Sequence, residues 1–160
     1  MMARTGRLLF DNVCYHVISR GNQRQKIFSE ENDYNKYLEI LGKAKVRFKF
    51  HIYCYCLMTN HTHLIIDPDT KEQLAKGMQV INQSYTRYFN YQYKKVGHLW
   101  QGRFKSIPIR KDKYLIDCIN YIETNPIRAN IVKSPFEYKW SSYKSRALGL
   151  SDKILDEVRI

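Results

Sequence analysis

The chain has 160 residues, enough for one domain with a sizeable core, and its 27 Lys and Arg exceed its 15 Asp and Glu to give a net charge of +12. No apolar stretch approaches the roughly 18 residues that cross a bilayer, and none follows Met1, so we expect neither a membrane span nor a signal peptide. The four cysteines form no CxxC pair, and Cys54 and Cys56 have the spacing of small buried residues on one face of a strand. These features favour a reduced, cytoplasmic protein.

The basic charge predicts a polyanionic partner but does not choose between DNA, RNA and anionic lipid. The sequence also contains 13 Tyr, 7 Phe and 2 Trp. Aromatic rings beside cations suit unstacked bases, although most of these rings should belong to the core. The composition therefore favours a nucleic acid with accessible bases.

The first half of the chain predicts a strand, a helix and a hairpin. Residues 13–19 are rich in β-branched and aromatic side chains and predict the first strand. Ser29 offers an N-cap, and apolar residues at helical spacing after it predict a helix over 30–48. Two further aromatic and apolar runs predict strands over 51–58 and 61–66, joined by a short turn.

The second half predicts two helices with a strand between them. Thr70 begins a long helix, whose end is blurred by an aromatic and basic stretch that runs to Lys95. Residues 105–109 predict a short fourth strand. Asp112 can cap a last helix over 113–124, which the following Asn-Pro pair ends because proline disfavours a helical residue before it.

The order β-α-β-β-α-β-α predicts an α+β sandwich of the ferredoxin-like or RNA-recognition-motif type. We expect a four-stranded antiparallel sheet with helices on one face and a further helix at the C-terminal end. No linker or repeat interrupts the sequence, so residues 1–160 should form a single domain with a core over about 13–143 and a short tail over 144–160.

Two histidines in the third strand form the strongest local signal. Side chains alternate across a strand, so His61 and His63 project from the same face while Thr62 points to the other. Two imidazoles placed in this way can bind one metal ion. Chance pairs of histidines also occur in strands, so the pair alone leaves the metal site open.

A phenol and a carboxamide stand four residues apart near the end of the last helix. Tyr121 and Asn125 should lie on one side of that helix end, where both can face the histidine pair. A tyrosine in such a position is more often a packing residue than a nucleophile, and Asn125 can equally be a helix-terminal residue shaped by Pro126. The residues alone leave both interpretations open.

Five collinear segments extend the pattern to almost the whole chain. They are YHVISRGN (15–22), MTNHTHL (58–64), GHLWQGRFKS (97–106), YIETNPIRA (121–129) and WSSY (140–143). Together they resemble the single-tyrosine HUH transposases and, within them, the REP-associated tyrosine transposases. The chain departs from that family where Thr62 replaces the hydrophobic residue expected between the histidines; because its side chain should face away from a metal, we expect little effect.

The resemblance implies a DNA transposase that cleaves single-stranded, hairpin-associated DNA and rejoins the strands. It implies a divalent metal, Mg²⁺ or Mn²⁺, held by His61 and His63 with Asn125 as a candidate third ligand. It also implies that Tyr121, on the C-terminal helix, attacks the phosphate to form a 5′-phosphotyrosine and a free 3′-OH. Glu123 and Asp117 lie near Tyr121 in the sequence, but the general base is left open.

Polar and basic residues in the matching segments are candidates for DNA contacts. Those that follow the first strand or flank the fourth are Arg20, Asn22, Arg24, Lys26, Arg103, Lys105, Arg110 and Lys111. A solvated basic surface is the competing interpretation. Trp100 can stack on a base or belong to the core, and His16 is expected to be structural or to contact phosphate rather than a metal.

Two other functions remain open. A non-catalytic module that binds hairpin DNA or RNA through the same fold would not need His61, His63 and Tyr121 together. A metal-dependent nuclease with a water nucleophile would need no tyrosine and would usually use carboxylates. The expected partner is single-stranded DNA with a hairpin or palindrome, met at the nucleoid of a prokaryotic cell by a monomer or a homodimer.

Overall fold

The computed structural model describes residue 10 and residues 13–160, so the expectation of no signal peptide at the start of the chain lies outside the described residues. A four-stranded sheet forms the centre of the fold, with strand order β2-β3-β1-β4 and antiparallel pairing throughout. The strands are β1 (Cys14–Arg20), β2 (His51–Met58), β3 (His61–Asp67) and β4 (Lys105–Ile109). This topology confirms the predicted ferredoxin-like arrangement.

The helices lie on both faces of the sheet. They are α1 (Glu31–Phe48), α2 (Lys71–Tyr93), α3 (Lys113–Glu123), α4 (Asn125–Arg128) and α5 (Tyr143–Leu148). Helices α1 and α2 pack on one face, over a core that includes Leu64, Ile66 and Tyr85. Helix α3 packs on the other face, where Cys54 and Cys56 are fully buried beside Ile119 as predicted. No helix within the described ranges is long and apolar enough to cross a membrane.

The start of α1 differs from the prediction. Ser29 is not the N-cap; that position belongs to Glu30. The carboxylate of Asp33, inside the first turn, accepts the backbone N–H groups of both Ser29 (2.8 Å) and Glu30 (3.1 Å). Asp33 thus binds the N–H of the N-cap residue and of the residue before it, as the third residue of a capping box does.

The residues predicted as a tail fold back along the outer edge of β2. Asp156 accepts the N–H of Ile52 through its carboxylate (2.9 Å) and donates its own N–H to the carbonyl of Ile52 (2.8 Å). Just before the predicted tail, the N–H of Ser142 donates to the carbonyl of Tyr55, and the carbonyl of Trp140 accepts from Leu57. The C-terminal region therefore borders the sheet, while the domain limits themselves stay a prediction.

Candidate metal and nucleophile site

The histidine pair lies on the α3 face of the sheet. The ring centroids of His61 and His63 are 4.9 Å apart and the rings are nearly perpendicular, at 83°. Thr62 is fully buried on the opposite face, with its hydroxyl 3.5 Å from that of Tyr37. The predicted separation of Thr62 from the two histidines is confirmed.

Each histidine has a partner at its Nδ1 atom. Nδ1 of His61 lies 2.6 Å from the side-chain oxygen of Asn60, which only accepts, so His61 carries its proton there and keeps a lone pair on Nε2. Nδ1 of His63 lies 2.9 Å from Nε2 of His16. His16 reaches this position because β1 pairs with β3 and places the two side chains diagonally across the ladder.

Asn125 approaches His63 from the other side. Its side-chain amide is 2.9 Å from Nε2 of His63. The residue is the first of α4, and Pro126 occupies the first turn of that helix. The prediction that Asn125 and Pro126 simply end a helix is therefore incomplete: they end α3 and also begin α4, since a first-turn proline lacks only an N–H that the helix does not use.

All three histidines of the site are neutral at pH 7. Burial lowers the pKa of His16 to about 4. Burial, with a smaller contribution from the charge of Arg20, lowers the pKa of His61 to about 4. Burial again is the main cause for His63, whose pKa falls to about 3 with smaller contributions from the neighbouring His61 and His16 and from the charges of Arg20 and Arg128. The neutral imidazole is the form that binds metals.

The side chains of the site include donors that could hold a divalent ion. Within residues 13–160, no three histidine, cysteine or carboxylate side chains form a cluster that could hold a metal ion. The available set is two imidazoles and one carboxamide, with both Nδ1 atoms already hydrogen-bonded. Two nitrogens and an amide oxygen leave coordination positions for phosphate and water oxygens.

Tyr121 precedes Asn125 by four residues, near the end of α3. Its side chain is 58% exposed, so the packing interpretation does not hold. The guanidinium of Arg128 lies 3.9 Å from the centre of the ring and also donates to the carbonyl of Tyr121 and, at 2.8 Å, to the hydroxyl of Thr124. The charge of Arg128 also contributes to the lowering of the His63 pKa.

Only one of the two carboxylates near Tyr121 is available as a base. Glu123 is fully buried; it accepts the Ser142 hydroxyl (2.6 Å) and pairs with the guanidinium of Arg146 through Nε (3.0 Å) and Nη2. Its oxygens hold the end of α3 against α5. Asp117 is exposed one turn before Tyr121 on the same helix.

A polar cavity of about 810 Å³ lies beyond the end of β1. Its lining includes Asn22, Arg87, His98, Trp100 and Arg103. Two backbone bonds join the turn after β1 to the loop before β4, from Asn22 to Leu99 and from Gln101 to Arg20, both at 2.8 Å. Trp100 is half-buried, packs against the core and also faces the cavity, so both predicted interpretations describe part of its surface.

The predicted DNA contacts divide between two ends of the sheet. Arg20 lies opposite His61 in the β1–β3 ladder, and Lys105 lies opposite Ile18 on the same face. Exposed Arg24 and Lys26 follow in the turn after β1. Two further residues, Arg110 and Lys111, follow the far end of β4, where Ile109 pairs with Cys14, about 13 Å along the strand from Lys105.

At that far end, both basic side chains have acidic partners. Lys111 forms an ion pair with the buried Asp67 (2.8 Å), and Arg110 with Asp112 (3.3 Å). The structure thus gathers Arg20, Asn22, Arg24, Arg103 and Lys105 near one end of the sheet and separates Arg110 and Lys111 from them. Contact of these residues with DNA stays a prediction.

Comparison with known proteins places this site in a family context. A family model described as IS200-like transposase matches residues 10–125. A Haemophilus influenzae protein described as a REP-associated tyrosine transposase is 25% identical over 119 residues, which cover 68% of each chain.

Two solved structures share the fold. That of a REP-associated tyrosine transposase bound to a REP hairpin matches 99% of this chain and 94% of its own, with a TM-score of 0.74 and 20% identity. A Deinococcus radiodurans structure described as a transposase matches 76% of this chain and 97% of its own, with a TM-score of 0.52 and 15% identity.

Proposed function

Because the chain belongs to the IS200-like transposase family, we propose that it cleaves single-stranded DNA beside a hairpin and rejoins the strands. Tyr121 is the nucleophile, and His61, His63 and Asn125 hold a divalent ion. The observation that carries this proposal is the 2.9 Å approach of the Asn125 amide to Nε2 of His63, four residues after an exposed tyrosine. The tyrosine segment and the histidine strand therefore meet at one place.

The side chains divide the reaction between them. His61, His63 and Asn125 would hold the ion, which would neutralise charge on the scissile phosphate when bound. The Tyr121 hydroxyl attacks phosphorus and loses its proton to solvent, while the bond from phosphorus to the 3′ oxygen breaks and that oxygen takes up a proton. The enzyme keeps the 5′ phosphate on Tyr121, and a later 3′-OH reverses the step to seal a strand.

Arg128 adds positive charge where the reaction needs it. Its guanidinium is in contact with the Tyr121 ring, so it stands next to the phosphate that this tyrosine would attack. A fixed cation in that position stabilises the extra negative charge of the pentavalent transition state. The same contacts hold the end of α3 in place, because two of the guanidinium nitrogens bind groups on its last turn.

The DNA strand has a path to this centre along the basic end of the sheet. The polar cavity beside Trp100 and Arg103 opens next to the turn after β1, and Arg20 continues from there to His61. Cations that follow a phosphate chain next to a half-buried ring are typical of single-strand binding. The similar protein solved with a REP hairpin makes hairpin DNA the first substrate to test.

A covalent adduct distinguishes this proposal from its rivals. The wild-type chain, incubated with Mn²⁺ and a labelled hairpin oligonucleotide with single-stranded flanks, should give a protein–DNA adduct on a denaturing gel. Tyr121→Phe and the double variant His61→Ala with His63→Ala should give none. Tyr114→Phe is the matched control, because Tyr114 is 64% exposed on the same helix and should leave the adduct unchanged.

Each other outcome identifies a different function. An adduct formed by Tyr121→Phe would contradict the assigned nucleophile. Cleavage without any adduct would favour a water nucleophile, and binding without cleavage under any metal would favour the non-catalytic hairpin module.

A further inference from the structure

We propose that His16 is a positioning residue that holds His63 in its Nδ1–H tautomer and so directs the Nε2 lone pair of His63 toward the metal. This inference rests on the metal site of the proposed function. It concerns a side chain that lies outside the ligand set, on the neighbouring strand β1.

The contact between the two rings requires one shared proton. Nε2 of His16 and Nδ1 of His63 are 2.9 Å apart, and the rings are only 8% and 5% exposed, so little water can intervene. Two lone pairs or two N–H groups would repel at this distance, so one nitrogen donates and the other accepts. The remaining question is which ring carries the proton.

The contact at the other ring nitrogen of His63 indicates which histidine donates in the hydrogen bond between His63 and His16. Its Nε2 lies 2.9 Å from Nδ2 of Asn125, which is a donor, so Nε2 accepts and the proton of His63 is on Nδ1. His63 therefore donates to Nε2 of His16, and His16 keeps its own proton on Nδ1. When an ion is bound, the same Nε2 lone pair is available to it once Asn125 turns its oxygen inward.

The second ligand is fixed in the same way by a different residue. Nδ1 of His61 donates to the side-chain oxygen of Asn60, also leaving Nε2 as the lone-pair atom. Each ligand thus has one dedicated acceptor, Asn60 in the β2–β3 turn and His16 in β1. Partners of this kind orient a metal-bound imidazole, and their loss typically weakens metal binding about 10- to 100-fold.

Two replacements of His16 separate positioning from packing. His16→Phe keeps a ring of similar size but removes the acceptor, whereas His16→Gln keeps an acceptor oxygen at a similar reach. We expect the Mn²⁺ dissociation constant, measured by electron paramagnetic resonance without DNA, to rise about 10- to 100-fold in His16→Phe and only slightly in His16→Gln. Thr62→Val, on the other face of the same strand, should bind Mn²⁺ like the wild type.

A second measurement reads the tautomer without any metal. Long-range ¹H–¹⁵N spectra of the metal-free protein should show His63 with its proton on Nδ1 in the wild type and in His16→Gln, and mainly on Nε2 in His16→Phe. Unfolding midpoints in EDTA verify that each variant is folded; should His16→Phe not fold, the wild-type spectrum and the affinity of His16→Gln still decide.

Two results would overturn the role of His16: a wild-type His63 protonated on Nε2, or a folded His16→Phe that binds Mn²⁺ as tightly as the wild type. Failure of the wild type to bind Mn²⁺ at all would instead refute the proposed metal site. The tautomer of His63 would then still support or overturn the positioning contact by itself.

Discussion

The ion pair between Glu123 and Arg146 gives the sharpest prediction on stability. Glu123 is fully buried, and the guanidinium contacts both of its oxygens, at 3.0 and 3.2 Å from Nε. Arg146→Met keeps most of the side-chain volume but leaves the carboxylate without its charge partner. Breaking a fully buried pair typically costs 3–5 kcal/mol. Because the Arg146 side chain is 30% exposed and Ser142 still donates to Glu123, we expect a smaller cost than for a fully buried pair, about 2–3 kcal/mol.

Urea unfolding followed by circular dichroism measures this loss directly, and the melting temperature should fall by about 5–10 °C for a chain of this size. Lys43→Met is the matched control, since the Lys43–Glu39 pair has the same 3.0 Å separation on an exposed helix surface and should give no measurable change. Glu123→Gln combined with Arg146→Met should recover most of the stability, because no charge is then left buried. A loss in Arg146→Met no greater than in Lys43→Met would refute the assignment of a buried, compensated carboxylate.

Three further predictions concern protonation, packing and DNA. In EDTA, the free energy of unfolding should be level above pH 6.5. Below pH 6.5 it should fall by about 1.4 kcal/mol per pH unit for each buried histidine of the site, because the unfolded chain binds protons that the folded site excludes. In the same urea titrations, the free energy of unfolding of His16→Phe should fall less steeply with decreasing pH. Gly77→Ala should lower stability by about 1–2 kcal/mol, since its Cβ would stand 2.7 Å from a buried phenylalanine ring. Gly42→Ala, whose Cβ would stand 3.2 Å from the terminal methyl of Ile154, should be less costly because that contact is longer and alanine has the higher helix propensity; equal urea midpoints would contradict this. Arg20→Ala should reduce the slope of the logarithm of the hairpin-binding constant against the logarithm of salt concentration by about one unit, and Arg110→Ala should reduce it by less. The reverse order would indicate that the DNA binds at the other end of the sheet.

Much of the fold follows from short-range patterns in the sequence. Strands β2 and β4 have the predicted limits, and the other main elements begin or end within a few residues of theirs. The capping of helix α1 was less predictable, because more than one side chain near its start can cap it. Ser29 has the residue type of an N-cap, but the N-cap is Glu30, and the N–H groups of both residues donate to the Asp33 carboxylate inside the helix.

Two parts of the candidate site were anticipated from the sequence: the histidine pair of one strand and the approach of Asn125 to it. The common face of His61 and His63 follows from strand alternation alone. The contact of His16 with His63 requires the β1–β3 register, which no local pattern reports. Proximity in sequence was also misleading for Glu123, which lies two residues from Tyr121 but is committed to Arg146 in the C-terminal region.

The C-terminal segment that borders β2 also affects how copies of the chain meet. A free strand edge is a template for pairing with another chain, which leads to aggregation or to sheets shared between molecules. On the β2 side, Trp140, Ser142 and Asp156 already bind edge groups of that strand. On the β4 side, Pro108 removes a backbone donor and Lys105 adds a charge, and both discourage edge pairing. A dimer of this chain should therefore form through its helices or loops, leaving each sheet and its histidine pair within one molecule.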